Sequence, residues 1–139
     1  MKIIIDAMGG DLAPQAPVRG GLQAAKEFGV EVLFTGNEAA IRHVMKQDGY
    51  DELPAGVEIV NCTEVVDNCD DPSIAWRKKP DSSMTVGLKL LKASRGNAFI
   101  SAGSTGALLS GATLLVRRIR GVKRAAVAPS LPTGRGRAV

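Results

Sequence analysis

Apolar residues along the chain occur in two kinds of segment. Short runs of apolar or β-branched residues predict buried strands. Such strands are predicted at residues 2–6, 31–36, 56–62 and 97–103, with a last strand inside 123–132 that ends at Pro129. Longer segments in which apolar residues recur every three or four positions predict amphipathic helices. Helices are predicted at residues 16–29, 37–49, about 83–95 and about 104–121.

Residues at the ends of two predicted helices support these boundaries. Gly29 is a typical helix stop and Asn37 a typical N-cap. Ile41, Val44 and Met45 then lie on one helical face. Because predicted strands and helices alternate from start to finish, the sequence predicts an α/β fold, a parallel sheet with helices on both faces joined by right-handed crossovers.

Two segments depart from this alternation. Residues 63–84 form a long charged segment interrupted by Pro72 and Pro80, and long loops inside compact domains are usually functional or disordered. Trp76 argues against complete disorder, because so large a ring usually buries itself. The final "TGRGRAV" has the pattern of a turn leading into another strand. We therefore expect residues 1–139 to be the N-terminal part of a single α/β domain that continues beyond Val139.

Composition is ordinary for a globular protein, with 45% hydrophobic and 23% charged residues in a chain of 139. The formal charge of +4 weakly favours anionic partners. Cations cluster at residues 117–124, either as a solvated helix end or as a docking surface for an acidic protein or an anionic membrane. Aromatic residues are only 4%, which counts against a nucleic-acid surface built on base stacking.

Cysteine usage and the N-terminus both indicate a cytoplasmic protein. Cys62 and Cys69 form no CxxC pair, and with His43 as the only histidine no zinc pattern exists. We interpret both cysteines as reduced and structural, and we expect no metal or cofactor. The start "MKIIIDAMGGD" has no signal-peptide pattern, and no apolar run approaches the ~20 residues of a membrane span.

Three turns, at residues 6–11, 78–83 and 101–106, are predicted at the carboxyl ends of strands or just before helices. In open parallel sheets this edge binds ligands, and the free N–H groups of a helix N-terminus bind anions. In "KKPDSSM", residues 78–84, Ser82 or Asp81 is a candidate helix cap. The basic pair Lys78 and Lys79 beside two hydroxyls suggests an anion site instead.

The other two turns also leave two interpretations open. In "SAGSTG", residues 101–106, the glycines and hydroxyls provide either close helix packing with a cap or a backbone seat for an anion. The segment has no GK[ST] phosphate-loop ending, and GxGxxG is absent here and at residues 9–10. In "DAMGGD", Asp6 and Asp11 either hold the loop or orient a substrate or a basic residue. Two carboxylates on one turn are weak evidence for a metal.

Taken together, four motifs resemble the PlsX family of bacterial phosphate acyltransferases. They are "DAMGGDLAP" at 6–14, "KKPDSSM" at 78–84, "SAGSTGALL" at 101–109 and "RAAVAPSLPT" at 124–133, in the family's order and spacing. The resemblance covers the whole chain but about the first 40% of a typical member. It implies transfer of a long-chain acyl group from acyl carrier protein to inorganic phosphate, giving acyl-phosphate for phospholipid synthesis. It also implies a three-layer α/β/α sandwich like that of phosphate acetyltransferase and isocitrate dehydrogenase, homodimers, and peripheral membrane contact.

The resemblance implies residue roles as well. Lys79, Ser82 and Ser83 would seat the phosphate, and Asp6 or Asp11 would orient a lysine or the loop. Further substrate-binding candidates are Asp11, Lys78, Gly103, Ser104, Thr105 and Gly106. Ser104 stands where the family commonly has asparagine, and Pro80 contributes no N–H to the seat. Acyl carrier protein is acidic, so residues 117–124 are a candidate dock.

Two other functions remain as alternatives. A dinucleotide-dependent dehydrogenase would have a similar fold, but the missing GxGxxG counts against it. A non-enzymatic basic module that binds nucleic acid is the other, and the scarcity of aromatic residues counts against that.

Overall fold

The computed structural model describes residues 1–133 and 136–138. Its strands are β1 Lys2–Asp6, β2 Glu31–Gly36, β3 Val57–Asn61, β4 Ala98–Ile100, β5 Leu131–Thr133 and β6 Gly136–Ala138. Its α-helices are α1 Gln15–Phe28, α2 Glu38–Gln47, α3 Ala75–Lys78, α4 Ser83–Lys92 and α5 Thr105–Gly111, and a π-helical segment, Ala112–Val116, continues α5.

The main sheet is parallel and has the strand order β3-β2-β1-β4. β1 lies in its centre, with Ile4 opposite Leu33 of β2 on one side and Phe99 of β4 on the other. The chain builds outward from β1 to β2 and β3, then crosses back to place β4 on the other side of β1. The strand order therefore reverses between β1 and β4, which is the usual position of a ligand crevice in such sheets.

Helices cover both faces of this sheet, which confirms the predicted α/β fold. On one face, Ile5, Val32 and Phe34 pack against residues of α1 and α2 such as Val18 and Ile41. A second core contains Met84 and Leu88 of α4 and Ala107 of α5, with Val66 and Ala75 from the segment before α4. Alternation of side chains along each strand supplies apolar residues to both layers.

The predicted helix caps are confirmed. Gly29 adopts a left-handed φ of 61° directly after α1, where a Cβ would be unfavourable. The Oδ1 atom of Asn37 accepts a hydrogen bond from the amide of Ala40 at 2.9 Å. Ser82 is the N-cap of α4, and its Oγ accepts from the amide of Thr85 at 3.3 Å. Of the two candidates for this cap, Ser82 and Asp81, the structure selects Ser82.

Two predictions for the last third of the chain are wrong. The predicted helix 104–121 ends at Val116, where the amide of Arg117 bonds the carbonyl of Ala112 and Arg117 itself has a φ of 77°. The Thr113 hydroxyl donates to the Leu109 carbonyl at 2.7 Å, a contact that bends helices. Residues 123–130 form no strand. Alanine, a weak strand former, dominates 125–128, and strand pairing occurs later, in the antiparallel pair β5–β6.

The segment between β3 and α4 is ordered by its own contacts. It contains α3, and Trp76 is half-buried with its indole N–H bonded to the carbonyl of Ser73 at 3.2 Å. Among the described residues, no helix has the length and apolar character needed to cross a bilayer. The prediction that residues 1–139 begin a larger domain remains a prediction.

Candidate functional site

The candidate site lies where the strand order reverses. Residues 7–14 follow β1 and residues 101–104 follow β4, and we call these two segments the switch-point loops. A cleft of about 570 Å³ opens beside them. Its polar residues are Asp6, Asp11 and Ser101, and small or apolar residues of α1, the strand ends and the two loops form the remaining wall. The cleft therefore combines a polar end at the loops with a largely apolar side.

Asp6 joins the two switch-point loops. Its side chain is only 2% exposed. One carboxylate oxygen accepts the amide of Met8 at 3.1 Å, and the other accepts the hydroxyl of Ser101 at 2.7 Å. No cation of the described chain forms an ion pair with Asp6. This carboxylate is satisfied by neutral donors, and its observed contacts are those of a residue that holds the loops.

Sequence reasoning missed Ser101, which lies at the centre of this arrangement. Its Oγ donates to Asp6 and also accepts the amide of Gly103 at 3.1 Å. The Gly103 N–H, predicted as a donor to an anion, is therefore used within the loop. The sequence analysis placed Ser101 inside a predicted strand at 97–103, whereas β4 ends at Ile100 and Ser101 is the first residue after it.

Gly9 allows the two loops to approach each other. A Cβ built at this position would lie 2.6 Å from Asp6 Oδ2, 2.8 Å from Ser101 Oγ and 2.9 Å from the Gly103 nitrogen. Gly10 has a φ of 101°, and a Cβ there would lie 3.0 Å from the Cβ of Ala102. Side chains at either position would force the loops apart.

The start of α5 directly follows the 101–104 turn. Ser104 is the N-cap, and its Oγ accepts the amide of Ala107 at 3.4 Å. Thr105 and Gly106 are exposed, and amides in the first turn of a helix have no intrahelical acceptor. The cap interpretation of "SAGSTG" is thus confirmed for Ser104, and the exposed amides remain compatible with an anion.

The first turn of α4 is occupied by the protein's own groups. Ser82 is completely buried, with its Oγ 2.8 Å from both the Lys79 carbonyl and Thr85 Oγ1. Ser83 is 1% exposed, and its amide donates to the carbonyl of Glu64 at 3.3 Å. Neither serine is presented to solvent.

Asp81 and Lys79 connect the start of α4 to the preceding segment. Asp81 accepts the hydroxyl and the amide of Thr63 at 2.6 and 2.9 Å, and these hydrogen bonds lower the pKa of its carboxyl. The Lys79 ammonium donates to Asp70 at 2.6 Å, to the Val65 carbonyl at 2.8 Å and to Asp67 at 3.1 Å. An ammonium has three donors, so all of them have partners.

These contacts leave Lys79 without a free donor for the predicted phosphate site. The hydrogen bond to Asp70 raises the pKa of Lys79, and the same bond lowers the pKa of Asp70. Phosphate contact by Lys79 would require release of at least one of its present partners, and it remains a prediction. Lys78 is exposed, and within the described residues no hydrogen bond joins either lysine to the switch-point loops.

The structure brings some predicted residues together and leaves others apart. Asp6 and Gly103 meet through Ser101, and a Cβ on Gly103 would lie 3.3 Å from the Met84 Cε, which places the start of α4 beside them. Asp11 lines the cleft and is exposed. The three turns at 6–11, 78–83 and 101–106 therefore do approach the same edge of the sheet.

The thiol of Cys62, which directly follows β3, is a poor nucleophile. Burial raises the pKa of Cys62 to about 11, so this thiol is protonated at neutral pH, while Cys69 is exposed. In the part of the chain that the structure describes, no three His, Cys, Asp or Glu side chains are grouped so that they could hold a metal ion.

Comparisons with known proteins agree with this architecture. A family model described as "Fatty acid synthesis protein" matches residues 1–139. A phosphate acyltransferase of Alkaliphilus oremlandii is 46% identical over 136 residues, covering 98% of this chain and 40% of that protein. A phosphate acyltransferase of Thermoanaerobacter pseudethanolicus is 44% identical over 140 residues, covering 100% of this chain and 40% of that protein. The chain thus spans about 40% of the length of the curated relatives it matches.

A solved structure supports the fold independently. A phosphotransacetylase from Streptococcus pyogenes matches with a TM-score of 0.66 at 18% identity, covering 89% of this chain and 40% of that chain. At this identity the match establishes the fold alone, and it confirms the predicted α/β architecture of the phosphate acetyltransferase type.

Proposed function

Because the chain belongs to the fatty acid synthesis protein family, we propose that it contributes to transfer of a long-chain acyl group from acyl carrier protein to inorganic phosphate. The product is an acyl-phosphate for phospholipid synthesis. One structural observation carries the proposal: the interlocked loops that follow β1 and β4, with the start of α5 beside them, border a cleft at the point where strand order reverses. The matched relatives are named phosphate acyltransferases, which supports the same reaction.

The reaction requires no covalent bond between the substrate and the protein. A phosphate oxygen attacks the thioester carbonyl, the new C–O bond forms, the C–S bond breaks, and the thiolate leaves and takes up a proton. Phosphate is itself the nucleophile, so positioning and preorganised donors supply most of the catalysis. The high pKa of Cys62 is consistent with a mechanism that uses no cysteine nucleophile.

We place the phosphate between the switch-point loops and the first turn of α5. Gly9 and Gly10 let the two switch-point loops pack against each other, and Thr105 and Gly106, which are exposed residues, begin α5, where amides without an intrahelical acceptor are donors of the kind that bind phosphate. Gly103 and Ser104 form the turn that leads to these amides. Asp6 contributes by holding the loops.

The α4 residues have a conditional role in this proposal. Lys79 would contact phosphate once it releases Asp67 or Asp70, and Lys78 would add charge from the surface. Ser82 and Ser83 are buried, so they would contact phosphate only if the start of α4 also opened. Asp11, exposed at the cleft, would orient a cation or the loop. The apolar side of the cleft, formed by residues such as Ala16, suits an acyl chain, since ligand pockets of 300–1,000 Å³ are mostly apolar.

The basic residues 117–124 are the proposed dock for acyl carrier protein. All fourteen acidic residues of the chain lie in 1–81, whereas 82–139 contain ten of the eighteen cations and no acid. Each arginine and lysine of 117–124 is exposed, and none forms an ion pair within the described residues. Charge reversal at Arg117 and Arg118 should raise the KM for the carrier protein and leave the KM for phosphate unchanged, with Lys26→Glu on α1 as the control.

The test of the function measures phosphate-dependent release of carrier-protein thiol from an acyl thioester. Release should saturate with phosphate, acyl-phosphate should accumulate in equal amount, and sulfate should not replace phosphate. Thiol release that proceeds equally without phosphate would reject the proposal. The dehydrogenase and nucleic-acid alternatives are not favoured by the family to which the chain belongs. A homodimer and peripheral membrane contact are further proposals, testable by sedimentation of the purified protein with and without anionic vesicles. A cytoplasmic location is a third, testable by fractionation of cells.

A further inference from the structure

Ser101 joins two segments that are far apart in sequence. Its hydroxyl meets a carboxylate 95 residues away, Asp6 at the end of the neighbouring strand, and it also receives the amide of Gly103 two residues on. No other hydrogen bond among the described residues connects the loop after β1 with the loop after β4. This hydroxyl is therefore the hydrogen-bonded link between the two segments, and it acts beside the packing of Gly9 and Gly10 against residues 101–103.

Chemistry fixes the direction of both hydrogen bonds. An ionised carboxylate only accepts and an amide N–H only donates, so the Ser101 proton must lie on the Asp6 side. The distance from Ser101 Oγ to Asp6 Oδ2 is 2.7 Å, and a hydroxyl that donates to a carboxylate forms a stronger bond than a neutral pair does. The orientation of the 101–104 turn is thereby tied to a buried negative charge.

The backbone of Gly9 covers this hydrogen-bonded group. A Cβ at Gly9 would lie within 2.9 Å of atoms from all three members, namely Asp6, Ser101 and Gly103. Close packing of this kind leaves the turn little freedom to adopt a second arrangement. It also places the two glycines of the first loop directly against the turn that leads into α5.

From these observations we propose that Ser101 is a positioning residue for phosphate. By linking Asp6 to Gly103, it holds the 101–104 turn against the Gly9–Gly10 backbone, so that the surface offered to the anion is already formed before binding. Preorganisation of this kind raises affinity by removing the cost of ordering the loop. The inference rests on the proposed function for the identity of the anion, and it assigns Ser101 no contact with the reacting atoms.

A double-mutant cycle separates positioning from a general contribution to stability. The variants are Ser101→Ala, Asp6→Asn and the double variant, assayed in the complete protein for the KM of phosphate, the KM of acyl carrier protein and kcat. Thr35→Val is the matched control, because Thr35 is also buried at this edge of the sheet and its hydroxyl donates to the Ile5 carbonyl at 3.3 Å. Urea unfolding of each variant records the stability change.

We expect Ser101→Ala to raise the KM for phosphate about tenfold or more, as the loss of a charge-assisted hydrogen bond would. The KM for acyl carrier protein should change by less than about twofold, and the double variant should be no worse than the worse single variant, as for two residues acting through one bond. Thr35→Val should lose stability and keep its phosphate KM. A phosphate KM that is unchanged in Ser101→Ala, or equal effects of Ser101→Ala and Thr35→Val, would overturn the inference.

Phosphate binding without turnover distinguishes this inference from the proposed function. Inorganic phosphate is titrated while the amide resonances of Thr105 and Gly106 are followed by NMR. If the wild-type protein transfers no acyl group yet binds phosphate at these amides, and Ser101→Ala binds it at least about tenfold more weakly, the function fails and the inference stands. Equal phosphate affinity of the two proteins, or no binding to either, refutes the inference whatever the outcome of the transfer assay.

Discussion

Gly9→Ala tests whether the switch-point loops are interlocked as described. The new methyl group would lie 2.6 Å from Asp6 Oδ2, 2.8 Å from Ser101 Oγ and 2.9 Å from the Gly103 nitrogen. These atoms are engaged with one another, so none can move away without weakening a hydrogen bond. Overpacking a filled site costs about 1–3 kcal/mol, and a hydrogen bond to a charged group contributes about 1.5–3 kcal/mol. Since both losses come from one displacement, we expect a total of about 3 kcal/mol.

Urea unfolding measures this loss, with the midpoint and the slope fitted separately. The matched control is Gly20→Ala in the middle of α1, where a Cβ would have no neighbour within 4 Å. Alanine is favoured over glycine in a helix, so this control should gain about 0.5–1 kcal/mol. If Gly9→Ala lowered the free energy of unfolding by less than about 1 kcal/mol at an unchanged slope, the loops would have space for the methyl group and the reasoning would be refuted.

Three further outcomes follow from the contacts of individual side chains. The hydrogen bond from Lys79 lowers the pKa of Asp70 in the folded protein. The ionised carboxylate therefore stabilises the fold above its unfolded pKa near 3.9, and this contribution is lost as the pH falls through the lower folded pKa. The stability of Asp70→Asn should decline less steeply below about pH 4 than that of the wild type, and parallel acid-unfolding curves would exclude the contact. Thiol titration with an aromatic disulfide at neutral pH should modify Cys69 rapidly and Cys62 only after unfolding, because burial raises the pKa of Cys62 to about 11; rapid modification of both would contradict its burial. Lys79→Ala should weaken saturation by phosphate far more than saturation by acyl carrier protein if Lys79 reaches the anion, whereas lowered stability with both KM values unchanged would leave it only its present structural role.

Much of the fold could be predicted from local sequence because local physics determines it. The Asn37 cap and the Gly29 stop each depend on backbone groups a few residues away, and both are confirmed. Strand segments with apolar residues on both faces were sufficient to predict a parallel sheet between two layers of helices. The last third of the chain was predicted less well, because the start of the π-helical segment at Ala112 and the left-handed Arg117 depend on packing that periodicity does not record.

The candidate site was predicted in location but not in its connections. Strand ends and glycine turns indicated the edge of the sheet at which the cleft lies, and Asp6 lines that cleft; phosphate binding there stays a prediction. The bond between Asp6 and Ser101 depends on β4 lying next to β1, which requires the strand order as well as the strands. Lys79 illustrates the same limit: its partners Asp67 and Asp70 lie in a segment without regular periodicity, so the sequence showed a free cation where the structure shows a saturated one.

The central claim is that phosphate binds at the switch-point loops, and an anion-bound crystal structure tests it most directly. Arsenate, which has the shape and charge of phosphate and scatters more strongly, is the suitable probe in the complete protein. We predict arsenate oxygens about 3 Å from the amide nitrogens of Thr105 and Gly106, beside the 101–104 turn, with the Asp6–Ser101 bond intact. Arsenate bound only at Lys79, or away from both loops in a protein that transfers the acyl group to phosphate, would contradict the account.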